Sequence, residues 1–176
     1  AIRQAMEADH SGSRYWPRLL EDDCLAAWRT GELGRAVRLA ADVLERDPRA
    51  RIALKLIARK PESMPVGIAE QLVSLVGRTE GVSSLDIRWM GVRGLEPLRN
   101  LSLLNLDCSS NAIPSLEALR GMPLRSLSAA RNLLTTLEPL RGMRLENLRV
   151  DDNRIRDLSV LEGMPLRSLA VGYSHV

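Results

Sequence analysis

The feature that most constrains the fold is a 21-residue repeat over residues 82–176. Its units start at Val82, Leu103, Leu124, Leu145 and Leu166. In the first four units, the positions 0, 3, 5, 10, 13, 16 and 19 residues after the start are apolar in all 28 places, in a chain that is 45% hydrophobic. A single unit this short cannot bury its own apolar face, so the period predicts a stack of similar coils.

The pattern inside each unit predicts the shape of a coil. The first six residues alternate, so they favour a short strand whose side chains at offsets 3 and 5 face inward. Strands of successive units then pair in parallel, about 4.8 Å apart. The apolar residues at offsets 10 to 19 return the chain to the same interior. Glycine permits the turn before the next strand, at Gly121, Gly142 and Gly163.

The segments LRSLSAARNLL and LENLRVDDNRI, which begin at Leu124 and Leu145, resemble the leucine-rich repeat. The resemblance covers residues 82–176 and implies an α/β solenoid. Such a solenoid is right-handed, with a parallel β-sheet on its concave face. At 21 residues the unit is similar to short bacterial and internalin-type repeats, whose return limb is 3₁₀ or extended. Proteins of this kind mostly bind other proteins, so the resemblance implies a protein-binding surface rather than a chemistry.

An asparagine recurs at offset 8, at Asn111, Asn132 and Asn153. A buried amide there can bond the backbone groups of neighbouring coils, which would be costly to leave unpaired. We therefore predict a structural asparagine ladder. Met90 and Ser174 replace asparagine in the first and last units, so we expect those coils to be bonded differently.

The residues before the repeat favour helices. Apolar residues recur at helical spacing over 18–60, with breaks at Thr30-Gly31 and Asp47-Pro48, and a further helix is predicted over 66–76. The run from Gly31 to Pro48 resembles the second helix of a tetratricopeptide repeat. We predict three parts: a tetratricopeptide-like segment over 1–65, a helical N-cap of the solenoid over 66–81, and the repeats over 82–176. The alternative is that the helical segment is an independent adaptor.

Strand residues that do not face the core should line the concave side. Small side chains dominate the middle of that side, and aromatic ones occur at its ends. Interface hot spots favour Trp, Tyr and Arg. The residues that we propose for protein binding are Trp89, Arg88, Arg131, Arg149, Asp151 and Tyr173. The alternative is that they are ordinary solvated strand residues.

The composition argues against several other functions. A net charge of +3, from 25 basic and 22 acidic residues, is a mixed surface rather than a nucleic-acid-binding field. The sequence contains no run of about 18 apolar residues, which is the length needed to span a membrane. No catalytic motif or zinc-ligand spacing is present, so we expect no enzyme activity, no cofactor and no metal. Cys24 and Cys108 lie far apart in sequence and suggest no disulfide, which favours a cytoplasmic location.

The sequence therefore predicts a non-enzymatic module that binds a protein partner through its concave face. The alternative is the sensor or regulatory region of a larger bacterial signalling enzyme, such as a receptor-type kinase. The chain starts with Ala1 and ends within a repeat, so we expect a fragment of a longer protein. The unfinished last unit also leaves open end-to-end self-association at the C-terminal edge.

Overall fold

The computed structural model describes residues 16–47, 52–58 and 64–172. Within these residues, four α-helices precede a five-stranded sheet. The helices are α1 (Trp16–Arg29), α2 (Leu33–Arg46), α3 (Ile52–Ile57) and α4 (Val66–Gly77). Pro48, to which the sequence assigns a helix-ending role, lies outside the described residues.

Helices α1 and α2 form a hairpin, because only three residues join them and their apolar faces pack together. Gly31 has φ +81° and turns the chain between them. Ala36 is fully buried at the contact, and the Cys24 thiol donates to its carbonyl oxygen at 3.1 Å. A small side chain at this point lets the two helices approach closely.

Helix α4 joins the helices to the repeats. Ala69, Leu72 and Val76 on its inner face are fully buried, and the helix packs against α2, α3 and the first return limb. Its last residue, Gly77, lies so close to Pro97 of that limb that an added Cβ would stand 2.0 Å from the proline carbonyl oxygen. The N-terminal end of the solenoid is therefore covered by α4.

The five strands are short and parallel, and each pairs with the next in chain order. They are β1 (Ser84–Asp86), β2 (Asn105–Asp107), β3 (Ser126–Ser128), β4 (Asn147–Arg149) and β5 (Ser168–Ala170). The register advances by one repeat at each step, as in the pairing of Leu85 with Leu106 and of Leu106 with Leu127. We call the units coil 1 (82–102), coil 2 (103–123), coil 3 (124–144), coil 4 (145–165) and coil 5 (166–172).

Each return limb contains one turn of 3₁₀ helix, as the resemblance to short repeats implies. The turns are Glu96–Leu98, Glu117–Leu119, Glu138–Leu140 and Ser159–Leu161. Apolar side chains from the strands and limbs join those of the helices in one continuous hydrophobic core. The predicted α/β solenoid with helices at its N-terminal end is confirmed.

Among the described residues, the hydrophobic core is covered at its helical end but not at coil 5. In coils 2 and 3 every predicted core position is buried. In the last limb and strand, Leu158 is 42% exposed and Leu169 is 45% exposed, although the same positions of the preceding coils are buried. These side chains face the end of the stack, where no further coil covers them among the described residues.

Candidate protein-binding face

The concave face is built from the outward side chains of the five strands and the residues that directly follow them. Offsets 2 and 4 alternate with the buried leucines at offset 3, so they project away from the core. The outermost part of the face lies at offsets 6 and 7, where the chain leaves the sheet. Of the six residues predicted for binding, the five that the structure describes lie at offsets 4, 6 and 7.

Trp89 is the most exposed large apolar residue of the described chain, at 63% of its surface. Its backbone N–H donates to the carbonyl oxygen of Ser109 in the next coil at 3.2 Å, which anchors the main chain at the edge of coil 1. The indole is therefore displayed on a fixed backbone. It has no part in the hydrophobic core.

Trp89 also has a left-handed backbone, with φ +59°. The equivalent residues of the next three coils share this conformation, with φ between +54° and +56° at Ser110, Arg131 and Asp152. For L-residues other than Gly, Asn and Asp, the left-handed region costs about 1–2 kcal/mol, and it is a genuine outlier for a bulky side chain. Sequence reasoning missed this feature, because the four residue types at offset 7 share no turn signal.

The arginines of the face are paired with aspartates. Arg88 contacts Asp86 at 2.7 Å and Asp107 at 3.4 Å. On the other side of the face, Arg131 contacts Asp152 at 3.1 Å, and Arg149 contacts Asp151 at 2.8 Å. Each arginine of the face is thus held by a carboxylate of its own or the next coil.

These pairs also shift the protonation of their members. The hydrogen bond from Arg149 lowers the pKa of Asp151, and the charges of Arg149 and Arg131 add to this effect. The same bond raises the pKa of Arg149, and the bond to Asp86 raises that of Arg88. Asp151, Arg149 and Arg88 are therefore charged at neutral pH. Since the arginines are largely exposed, each pair stabilises the fold only slightly.

The middle of the face is lined by small side chains. Ser109 and Ala130 at offset 6 are buried among their neighbours, and the Ser109 hydroxyl lies 2.8 Å from that of Ser128. The larger side chains stand on either side, with Trp89 and Arg88 on coil 1 and Arg131 and Arg149 on coils 3 and 4. The face therefore has small side chains in the middle and larger aromatic or charged ones on either side.

The asparagines at offset 8 lie directly behind this face. Asn132 accepts from the backbone N–H of Ile113 at 3.0 Å, and its amide group donates to the carbonyls of Cys108 and Ala129 at 3.0 and 3.1 Å. Asn153 repeats these bonds one coil later, with Leu134 as the donor. Asn111 bonds coil 1 in the same way, through Val92 and Ile87. The amides hold the strand exits of adjacent coils at a fixed distance.

Each asparagine bonds the coil that precedes it, which explains the exception in coil 1. Met90 lies in the first coil, so there is no earlier coil whose backbone groups an asparagine at this position would bond. The Met90 side chain is buried in the core instead, and its own N–H donates to Asn111 at 3.2 Å. Tyr173 and Ser174 lie outside the described residues, so the binding role of Tyr173 stays a prediction.

The described residues hold no group of three or more His, Cys, Asp and Glu side chains that could bind a metal ion. Both cysteines are buried, and burial raises their pKa to about 12, so neither is a thiolate at neutral pH. Across the described helices, none is long and apolar enough to cross a membrane.

Comparison with solved structures supports the fold of the repeats. An internalin (inlF) of Listeria monocytogenes is similar to this chain with a TM-score of 0.55 and 26% sequence identity, over 57% of this chain and 31% of that protein. This similarity agrees with the parallel pairing of the strands and with the repeat motif described above. The repeats have the leucine-rich-repeat fold. A second internalin of the same strain, internalin C2 (inlC2), is 22% identical with a TM-score of 0.47, over 56% of this chain and 55% of that one.

No protein-family model and no curated protein sequence matches the chain. The chain spans about a third of the first internalin and about half of the second. The similarity supports a protein-interaction module in general. The tetratricopeptide resemblance of residues 31–48 and the regulatory role in a larger signalling enzyme stay predictions.

Proposed function

We propose that this protein is a binding module without catalytic activity, and that its concave face holds a protein partner with Trp89 as the main contact. The observation that carries the proposal is that Trp89 lowers the stability of the fold in two ways. Its indole is exposed to water and its backbone is left-handed, whereas a glycine or asparagine would avoid both costs. The left-handed backbone recurs in the next three coils, so the exposed indole at this position is what points to a contact with a partner.

The arginines of the face have a supporting role in this proposal. Arg88, Arg131 and Arg149 are each held by an aspartate, so a partner meets charges that are already oriented. Paired charges at the rim of an interface contribute more to specificity and association rate than to affinity. We therefore expect Trp89 to dominate the binding energy, with the arginines selecting the partner.

Replacing Trp89 with asparagine tests the proposal. Asparagine tolerates the left-handed conformation, so we expect the melting temperature of Trp89→Asn to equal or exceed that of the wild type. A buried tryptophan hot spot contributes 2 kcal/mol or more, so affinity for the partner should fall by roughly 30-fold or more. The partner is captured with the wild-type protein, identified by mass spectrometry, purified, and measured by calorimetry against both proteins.

Leu133→Asn is the matched control, because Leu133 is also an exposed apolar residue but lies at offset 9, beyond the concave face. It should bind the purified partner like the wild type. Unchanged affinity of Trp89→Asn, or an equal loss in both variants, would place the binding site elsewhere.

A second candidate function is self-association through the C-terminal end of the solenoid. The exposed Leu158 and Leu169 favour it, since the preceding coils bury the same positions under a following coil. In the part of the chain that the structure describes, α4 covers the other end of the solenoid, so head-to-tail stacking finds no second open end there. The candidate is therefore a closed pair in which two copies meet at coil 5.

A further inference from the structure

A column of glycines runs along the edge of the solenoid where each return limb leads back to a strand. Gly121, Gly142 and Gly163 have φ of +72°, +73° and +76°, so each makes a turn that other residues adopt only with strain. An added Cβ at any of the three would meet nothing within 4 Å. The missing side chains therefore leave an open furrow across coils 2 to 5, which we call the glycine furrow.

The furrow contains two adjoining cavities. One has a volume of about 620 Å³ and the other about 250 Å³. They are continuous because they share lining residues in coil 3, among them Gly142, Met143 and Arg144. The methionines that follow the glycines point toward the core, with Met122 and Met143 buried and Met164 half-buried, and so give the furrow an apolar floor.

The walls of the furrow carry an excess of positive charge. The two cavities are lined by two glutamates, Glu146 and Glu162, and by four arginines, Arg125, Arg141, Arg144 and Arg167. Glu146 lies between two of the arginines, 3.0 Å from Arg125 and 3.6 Å from Arg167, and holds both against the furrow. The lining therefore has two more positive than negative groups.

Arg144 is the arginine of the furrow whose positive charge is least neutralised by a nearby carboxylate. Arg141 is paired with Glu138 on the convex side at 2.5 Å, and Arg125 and Arg167 share Glu146. Arg144 makes no ion pair within residues 16–47, 52–58 and 64–172, although it lines both cavities. A negatively charged ligand in the furrow would therefore gain most from Arg144.

We propose that the glycine furrow binds an extended acidic peptide segment of a partner protein. Arg125 and Arg167 lie two coils apart, which is about 10 Å at the spacing of parallel strands. An extended peptide covers that distance with about three residues, so its carboxylates reach both arginines, and Arg144 lines the same cavity. The furrow lies on a different surface from Trp89, so the proposal is independent of the concave face.

Hexaglutamate is the probe that tests this proposal, titrated into the full chain by fluorescence anisotropy. We expect saturable binding that weakens as the salt concentration rises, since exposed charges are screened. Arg144→Glu adds a negative charge to both cavities without breaking an ion pair. Its affinity for hexaglutamate should be lower than that of the wild type by about tenfold or more.

Arg156→Glu is the matched control. Arg156 is also an exposed arginine without an ion pair within the described chain, but it lies at offset 11, where the return limb begins. It makes the same change in net charge and should bind hexaglutamate nearly as well as the wild type. Circular dichroism of both variants checks that each is folded.

Three results would overturn the proposal. One is the absence of saturable binding, and another is an equal loss of affinity in Arg144→Glu and Arg156→Glu. The third is equally tight binding of oligothymidylate, which would make the furrow a general polyanion surface rather than a peptide site. Hexalysine should not bind, and its binding would contradict the charge argument as well.

Discussion

Asn132 shows how one side chain holds two coils together. Its oxygen accepts the N–H of Ile113, and its amide group donates to three carbonyls at the strand exits of coils 2 and 3. The side chain is 7% exposed, so water could not readily replace these bonds. A buried backbone group that loses its partner costs about 1–3 kcal/mol.

We expect Asn132→Leu to lower the free energy of unfolding by about 1–3 kcal/mol, because the leucine fills the space but bonds none of these groups. Asn147→Leu is the control, since Asn147 is exposed on β4, and surface changes usually stay within about 0.5 kcal/mol. Urea denaturation measures both. Equal midpoints for Asn132→Leu and the wild type would show that the ladder does not stabilise the stack.

At the scale of elements, the decisive contact joins the helices to the repeats. Gly77 ends α4, and its Cα faces the Pro97 backbone of the first return limb. The carbonyl that an added Cβ would strike belongs to the main chain, so no side-chain rotation could relieve the clash. The absence of one methyl group therefore sets how closely α4 covers coil 1.

We expect Gly77→Ala to destabilise the protein by roughly 1–3 kcal/mol, the usual cost of overpacking, as α4 is pushed off coil 1. Gly67→Ala is a matched control in the same helix, because nothing lies within 4 Å of its added Cβ. Alanine favours a helix over glycine, so Gly67→Ala should be neutral or stabilise by up to about 1 kcal/mol. Thermal melts of the two variants should therefore shift in opposite directions, and equal shifts would contradict the contact.

At the scale of the whole molecule, one hydrophobic core runs from α1 to coil 5. Solenoids gain their stability from contacts between neighbours, so an end without a neighbour is the weakest part. Here α4 is the neighbour of coil 1, whereas coil 5 has a neighbour among the described residues, coil 4, on one side only. The two ends of the same stack therefore differ in what they can bind.

We expect the chain to form a dimer at high concentration and nothing larger, since among the described residues only coil 5 exposes core leucines at an end of the solenoid. Multi-angle light scattering over a range of concentrations measures this. Leu169→Arg should keep the chain monomeric, whereas Leu104→Arg, at an exposed leucine away from that end, should not. A strict monomer, or assemblies that grow without limit, would count against pairing at coil 5.

The repeat alone determined the solenoid, its parallel register and nearly all of its core. Alternation at offsets 3 and 5 decides which side of a strand faces inward, and a constant period of 21 aligns each leucine with the next one, as for Leu106 and Leu127. These properties depend on spacing along the chain, which is visible in the sequence. The position of the concave face followed for the same reason.

Only the tertiary structure decided what stands on that face and beside it. The strain at Trp89, the pairing of Arg131 with Asp152, and the approach of Gly77 to Pro97 each depend on residues that lie about 20 positions apart. The type of a residue does not reveal such relations, because it does not indicate whether a tryptophan has a left-handed backbone or whether an arginine is paired. The distances between adjacent coils determine them, and those exist only once the stack has formed.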